Sequence, residues 1–173
     1  MFRDRSLVPG QAVRLLALGL LAEEPRSYGD LAAEVRRVTG LLVGPSLDLL
    51  APPLELLRIE GLAREAEGRL GLTDAGRGEL RHLLEAPLRQ GASDLRRLVV
   101  TLKIRFIRFL DGEQRALQMD ALIEDAEREL ARLAALNESN KGSGDFEAWL
   151  ELEQAQSRDR LAWLHKRAEA LKN

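Results

Sequence analysis

Apolar residues recur at helical spacing along most of this chain. Val13, Leu16, Ala17, Leu20 and Leu21 fall at i, i+3, i+4, i+7 and i+8. That stripe predicts a helix from about Gln11 to Glu23, with Pro9-Gly10 before it and Pro25 after it. Leu31, Val35 and Val38 predict a second helix from Ser27 to Val38. Ser27 caps it, with Asp30 three residues on, and Thr39-Gly40 stops it. Ser46 caps a third helix over Leu47–Glu60, ended by Gly61. Pro52 and Pro53 fall inside it, so either its regular part starts near Pro52 or Leu47–Ala51 is a separate turn. Residues 62–72, LAREAEGRLGL, alternate loosely around Glu67-Gly68 and predict a two-stranded hairpin. Thr73 caps a fourth helix from Asp74 to about Glu85. Three helices, a hairpin and a helix is the element order of a winged helix-turn-helix.

The segment PLRQGAS, Pro87–Ser93, reads as the domain boundary. It divides the chain into 1–86 and 87–173. Beyond it, Leu95, Leu98, Val99, Leu102, Phe106 and Phe109 mark a helix over Asp94–Leu110, broken by Asp111-Gly112. Met119, Ile123, Ala126, Leu130 and Leu133 alternate steps of four and three, a heptad seam on a helix from Glu113 to about Leu136. A polar Gly/Ser-rich stretch, Asn137–Asp145, separates it from a last helix, Phe146 to about Lys172. The fold class is therefore mainly α.

Composition narrows the chemistry. The chain has 173 residues, 45% of them apolar and none of them cysteine, so disulfides and thiolate metal sites are excluded. MFRDRSLVPG has no apolar signal region and Leu15–Ala22 is too short to span a bilayer. The expectation is a cytoplasmic protein that does not engage a membrane. His82 and His165 stand alone, without HExxH spacing, and KGSG at 141–144 lacks the Gly-Lys-Ser/Thr order of a P-loop. No enzyme, metal site or cofactor is expected. Net charge is -2, and each half contributes -1, which is not the basic balance usual for a nucleic-acid binder. A basic face can still sit within such a sum.

SLDLLAPPLELLRIEGLAREAEGRLGLTDAGRGEL, residues 46–80, carries a family resemblance. Ser46, Leu50, Pro52, Leu54, Leu57, Glu60, Gly61 and Leu62 keep the register of the PadR-type winged-helix transcriptional regulators, and Leu72–Arg77, LTDAGR, matches the end of their wing. LALGLLAEEPRSYGDL, residues 16–31, is similar to the family's entry, with Tyr28-Gly29 in inverted order. Trp163-Leu164 in the last helix resembles part of its helical dimerisation region. The resemblance implies a homodimer that binds double-stranded DNA at a pseudo-palindromic operator and represses transcription. It places Ser46, Asp48, Leu49 and Pro52 around the start of the recognition helix, against DNA. This chain departs there, with Asp48-Leu49 where the family has Gly-Thr and Ala51 where it has Tyr. A carboxylate at Asp48 faces phosphate repulsion, so operator recognition differs from the family's.

Beside those residues, Arg64 and Arg69 flank the wing turn within reach of phosphates or a minor groove. Ser27 and Tyr28 stand at a helix start, where free backbone N–H groups favour phosphate. A plain helix cap is the simpler role for Ser27, and solvated surface charge for any one arginine. Leu98, Leu102, Phe106, Phe109, Ile123, Leu130, Leu133 and Leu164 are the expected dimerisation residues. Arg96, Arg97, Lys103, Arg105 and Arg108 make their helix basic, and the expected partners are Glu124, Asp125, Glu127 and Glu129. Phe146, Trp149 and Trp163 are candidates for a pocket holding a small apolar or aromatic effector between subunits, against the alternative of ordinary ring packing. The rival to a DNA-binding regulator is an adaptor: a winged helix that has lost DNA and docks a protein. Asp48, Leu49, Ala51 and the acidic N-terminal half favour it.

Overall fold

The computed structural model describes residues 7–43, 54–88 and 94–171. Seven α-helices and one hairpin lie among them: α1 Pro9–Glu23, α2 Tyr28–Val43, α3 Glu55–Ile59, β1 Ala63–Ala66, β2 Arg69–Leu72, α4 Asp74–Glu85, α5 Asp94–Phe106, α6 Gly112–Ser139 and α7 Asp145–Ala170. The chain forms two compact units, 1–110 and 111–173. The break therefore falls after α5, not at 87–93. The expected boundary was read from Pro, Gly and Ser composition, yet α5 packs on α1 and α2.

In the first unit α1 is the central helix. Ala12, Val13 and every residue from Leu15 to Leu21 are buried, so it is apolar all round rather than striped. Pro9 is its first residue, where a missing N–H costs nothing. Arg14 is its polar exit, bonded to Glu60 at 2.6 Å and Glu79 at 3.2 Å. Gly19 lets the Phe106 ring lie directly on the helix, since a Cβ there would stand 2.5 Å from the ring. α2 runs through Thr39-Gly40 instead of stopping there, because Thr39 returns its hydroxyl to Val35 O at 2.9 Å within the helix.

Of the third helix, Glu55–Ile59 is described, and Gly61 ends it at φ 72° as expected. Ser46, Asp48, Leu49 and Pro52 lie outside the described residues. The hairpin and the Thr73 cap form as read: Thr73 Oγ1 accepts from Gly76 N at 3.1 Å. α5 ends in a 3-10 turn, Ile107–Phe109.

The second unit is the antiparallel hairpin of α6 and α7. Asp111 caps α6 by accepting from Gln114 N at 2.9 Å. α6 extends through Asn137–Ser139, so the connection is shorter than the polar stretch suggested.

The expected dimerisation residues fall into two groups by where their own chain packs them. Leu98, Leu102 and Phe106 are 0% exposed in the core of the first unit, and Phe109 packs on that core. They are covered by their own chain. Ile123, Leu130, Leu133 and Leu164 are buried or half-buried on the seam where α6 packs on α7. A heptad seam looks the same within a hairpin as between chains. The basic helix has partners within its own unit. Arg105 forks onto Glu23 of α1 at 2.9 and 3.3 Å, and Arg108 reaches the same carboxylate at 2.9 Å. Lys103 is 2% exposed, with its Nζ donating to Leu84 O. Within the second unit, Glu124 pairs with Arg128, and Glu129 with Arg132 and Arg160.

Candidate nucleic-acid interface

The wing is a two-residue hairpin. Ala66 pairs with Arg69 and Arg64 with Gly71. The central residues Glu67 and Gly68 both have positive φ, 52° and 74°, the geometry of a type I′ turn that matches strand twist. Cross-strand partners share a face. Ala63, Leu70 and Leu72 therefore point to the core, with Ala63 and Leu70 buried. Arg64, Ala66, Arg69 and Gly71 form the outward face, whose two small residues leave the arginines standing clear.

Two open clefts meet at this wing. One, of about 460 Å³, lies between the wing and the start of α2, with Ser27, Asp30, Glu34, Arg37 and Arg69 in its walls. The other, of about 610 Å³, runs along the outward face past Arg64, Arg69, Asp74 and Arg77. Arg69 borders both. Ser27 is committed as a cap: its hydroxyl donates to Asp30 Oδ2 at 2.7 Å and accepts from Asp30 N at 3.1 Å. Tyr28 is 47% exposed beside it.

The electrostatics separate these cations. Arg37 holds Glu34 in two hydrogen bonds of 2.6 and 2.7 Å, which keep that carboxyl below its ordinary pKa. Arg26 pairs with Glu24 at 2.8 Å, Arg77 with Asp74 at 3.4 Å, and Arg58 is shared between Glu55 and Glu65. Arg64 and Arg69 are exposed and have no carboxylate partner among the described residues. Among the arginines lining these two clefts, unpaired positive charge is thus concentrated on the wing.

Arg26 was not legible in the sequence. Its backbone exchanges two hydrogen bonds with Leu70, 3.1 Å from Arg26 N and 2.7 Å to Arg26 O. The α1–α2 connection thus acts as a third strand that fixes the wing against the head. A one-residue bridge has no periodicity to detect. Its only sequence trace is Pro25, which keeps the connection extended.

A family model, described as "Putative AphA-like transcriptional regulator", matches residues 2–168. The chain belongs to this AphA-like family of transcriptional regulators. The PadR-type reading of residues 46–80 stands with it, and the class is one of transcriptional regulators, not enzymes. No curated protein sequence matches the chain. Among solved structures, Bacillus subtilis PadR is similar at 20% identity over 97% of this chain and 99% of that one, with a TM-score of 0.42. The same protein "in complex with operator DNA" matches at 20% over 92% and 98%, TM-score 0.38. The PadR-like regulator BC1756 from Bacillus cereus matches at 23% over 92% and 98%, TM-score 0.39. Each TM-score is below 0.5, and the family assignment rests on the family model.

The effector candidates Phe146, Trp149 and Trp163 are 46%, 56% and 46% exposed along α7. Fourteen residues of helix set the two tryptophans roughly 21 Å apart. One small molecule cannot touch both in one chain. Among the described residues, no group of three or more His, Asp or Glu is placed to hold a metal ion, and no helix is long and apolar enough to cross a membrane.

Proposed function

We propose that this AphA-like regulator acts in the cytoplasm as a homodimeric repressor, using the wing of each head to grip a pseudo-palindromic duplex. The observation that carries this is the pair Arg64 and Arg69: exposed, outward-facing and unpaired among the described residues, while Arg37, Arg58 and Arg77 around them are neutralised. Uncommitted guanidinium groups are what phosphate neutralisation needs. The wing and the start of α2 border one cleft, so a strand lying there meets Arg69 and the first turn of α2 together. The sign of regulation follows the PadR-type resemblance. An apolar effector remains part of this reading only between subunits, because one ring of Trp149 and one of Trp163 must then come from different copies.

Arg64→Ala and Arg69→Ala test the wing. Each is expected to weaken binding to any duplex alike, and to lower the slope of log affinity against log salt by about one contact per head. Fluorescence anisotropy on a specific and a scrambled duplex reads both quantities. Unchanged affinity in the double variant would remove the wing from the interface.

A further inference from the structure

The tip of the wing holds an acid with no role so far. Glu67 is the first of the two turn residues, with φ 52°, a region that glycine, asparagine and aspartate occupy with less strain. It is exposed, and it lines the cleft that runs past Arg64 and Arg69. Among the described residues its carboxylate has no hydrogen-bond or ion-pair partner. The other acid of the wing, Glu65, is tied to Arg58 at 3.2 Å. Two costs therefore meet at one position. The backbone is strained, and a negative charge stands at the point of a wing whose flanks offer arginines to phosphate. Strain retained at a binding surface points to a group that is used there.

A carboxylate finds few partners on a duplex. It accepts hydrogen bonds and donates none. Phosphate oxygens only repel it. On the floor of the minor groove, A·T and T·A pairs present acceptors alone, and the 2-amino group of guanine is the one donor. Only one side chain has to enter. Ala66 and Gly68, on either side of Glu67, have little or no side chain to obstruct it. The minor groove is about 6 Å wide against about 12 Å for the major. It is the narrower of the two, so arginines on one small wing can meet phosphates on both its edges while the tip lies between them.

We propose that Glu67 is a specificity-determining residue, whose carboxylate accepts a hydrogen bond from the 2-amino group of a guanine in the minor groove beneath the wing. This rests on the wing reading above and adds which base pair the wing accepts. The same charge discriminates against the alternative. An A-tract narrows the minor groove and concentrates negative potential there, which attracts arginine. Arg64 and Arg69 alone would favour such a tract. Glu67 between them reverses the preference, because the acceptors of an A·T floor and the potential of the narrow groove both oppose an acid.

The test removes the amino group from the DNA and the carboxylate from the protein. The probe is the duplex upstream of the protein's own coding region, made with guanine or with inosine in its place. Inosine lacks the 2-amino group and leaves the major-groove edge unchanged. In the full-length wild-type protein, fluorescence anisotropy at 50 mM salt should show affinity falling about tenfold or more on the inosine duplex. Glu67→Gly suits the positive φ, so the wing stays formed and Tm does not drop. That variant should distinguish the two duplexes by less than about twofold, and should bind the inosine duplex more tightly than the wild type does. Equal wild-type affinity for both duplexes, or an equal loss on inosine in Glu67→Gly, would overturn the guanine contact and leave the arginine grip standing. A folded wild-type chain that binds neither duplex would overturn both.

Discussion

Gly76→Ala is expected to cost about 3 kcal/mol of stability, the upper end of what overpacking usually costs, and to lower Tm by about 10 °C. Gly76 opens α4 under the wing. A Cβ there would stand 2.1 Å from Leu62 O and 2.7 Å from Leu72 Cδ1. The leucine methyl can turn aside, but the carbonyl cannot. Leu62 O accepts from Thr73 N at 3.1 Å, and Thr73 Oγ1 donates to Gly61 O at 2.7 Å while capping α4. Making room would pull apart the end of α3, the wing and the helix cap together. Urea unfolding followed by circular dichroism measures the loss. A penalty below about 1 kcal/mol would mean that α4 and the wing are not held at this distance.

The second large effect is a pH dependence centred on Lys103. Its ammonium is buried, and loss of hydration pushes its pKa down from 10.5 to about 8, with the Glu85 carboxylate acting in the opposite direction. In the unfolded chain the same amine keeps its ordinary value. Between pH 8 and 10.5 the unfolded state therefore binds more protons than the folded one, and stability rises with pH across that window. Below pH 8 the folded chain carries the full cost of the buried charge, about 3 kcal/mol for a shift of this size. Lys103 nevertheless serves the fold, because its Nζ donates to Leu84 O near the C-terminus of α4. Lys103→Met should flatten the rise between pH 8 and 10.5 while keeping the helical signal. Urea midpoints at pH 7.5, 9 and 10.5 for both proteins check it. A wild-type midpoint that falls with pH while the variant stays flat would contradict the burial.

Periodicity told which side of each helix is buried, and it did so well. Val13, Leu16, Ala17, Leu20 and Leu21 are all core, as are Leu98, Leu102 and Phe106. It could not tell what covers them. Leu102 repeats at the same spacing whether the neighbour is α1 of its own chain or a helix of another, and the same holds for Leu130 on the α6–α7 seam. Spacing therefore marks burial without naming the partner that provides it. Capping chemistry was equally legible at Ser27 and Thr73, because one side chain serves the nearest free N–H groups. Gly40 misled, since an interior glycine costs only about 1 kcal/mol and the turn around it can absorb that. For the interface, Arg64 and Arg69 were visible from the turn between them. Their lack of partners was not, because it depends on Glu65 reaching Arg58 and Asp74 reaching Arg77. Those pairings exist only once the wing, α3 and α4 are assembled.

The central claim is that the head binds duplex DNA through free wing arginines, once on each of two copies. Fluorescence anisotropy titration of the full-length protein against DNA from upstream of its own coding region, at 50 and 200 mM salt, meets that claim head-on. Four phosphate contacts per dimer predict saturable binding at the lower salt that weakens about a hundredfold at the higher. A folded chain that fails to bind at 50 mM salt, or whose affinity ignores salt, would contradict it and leave the adaptor in its place.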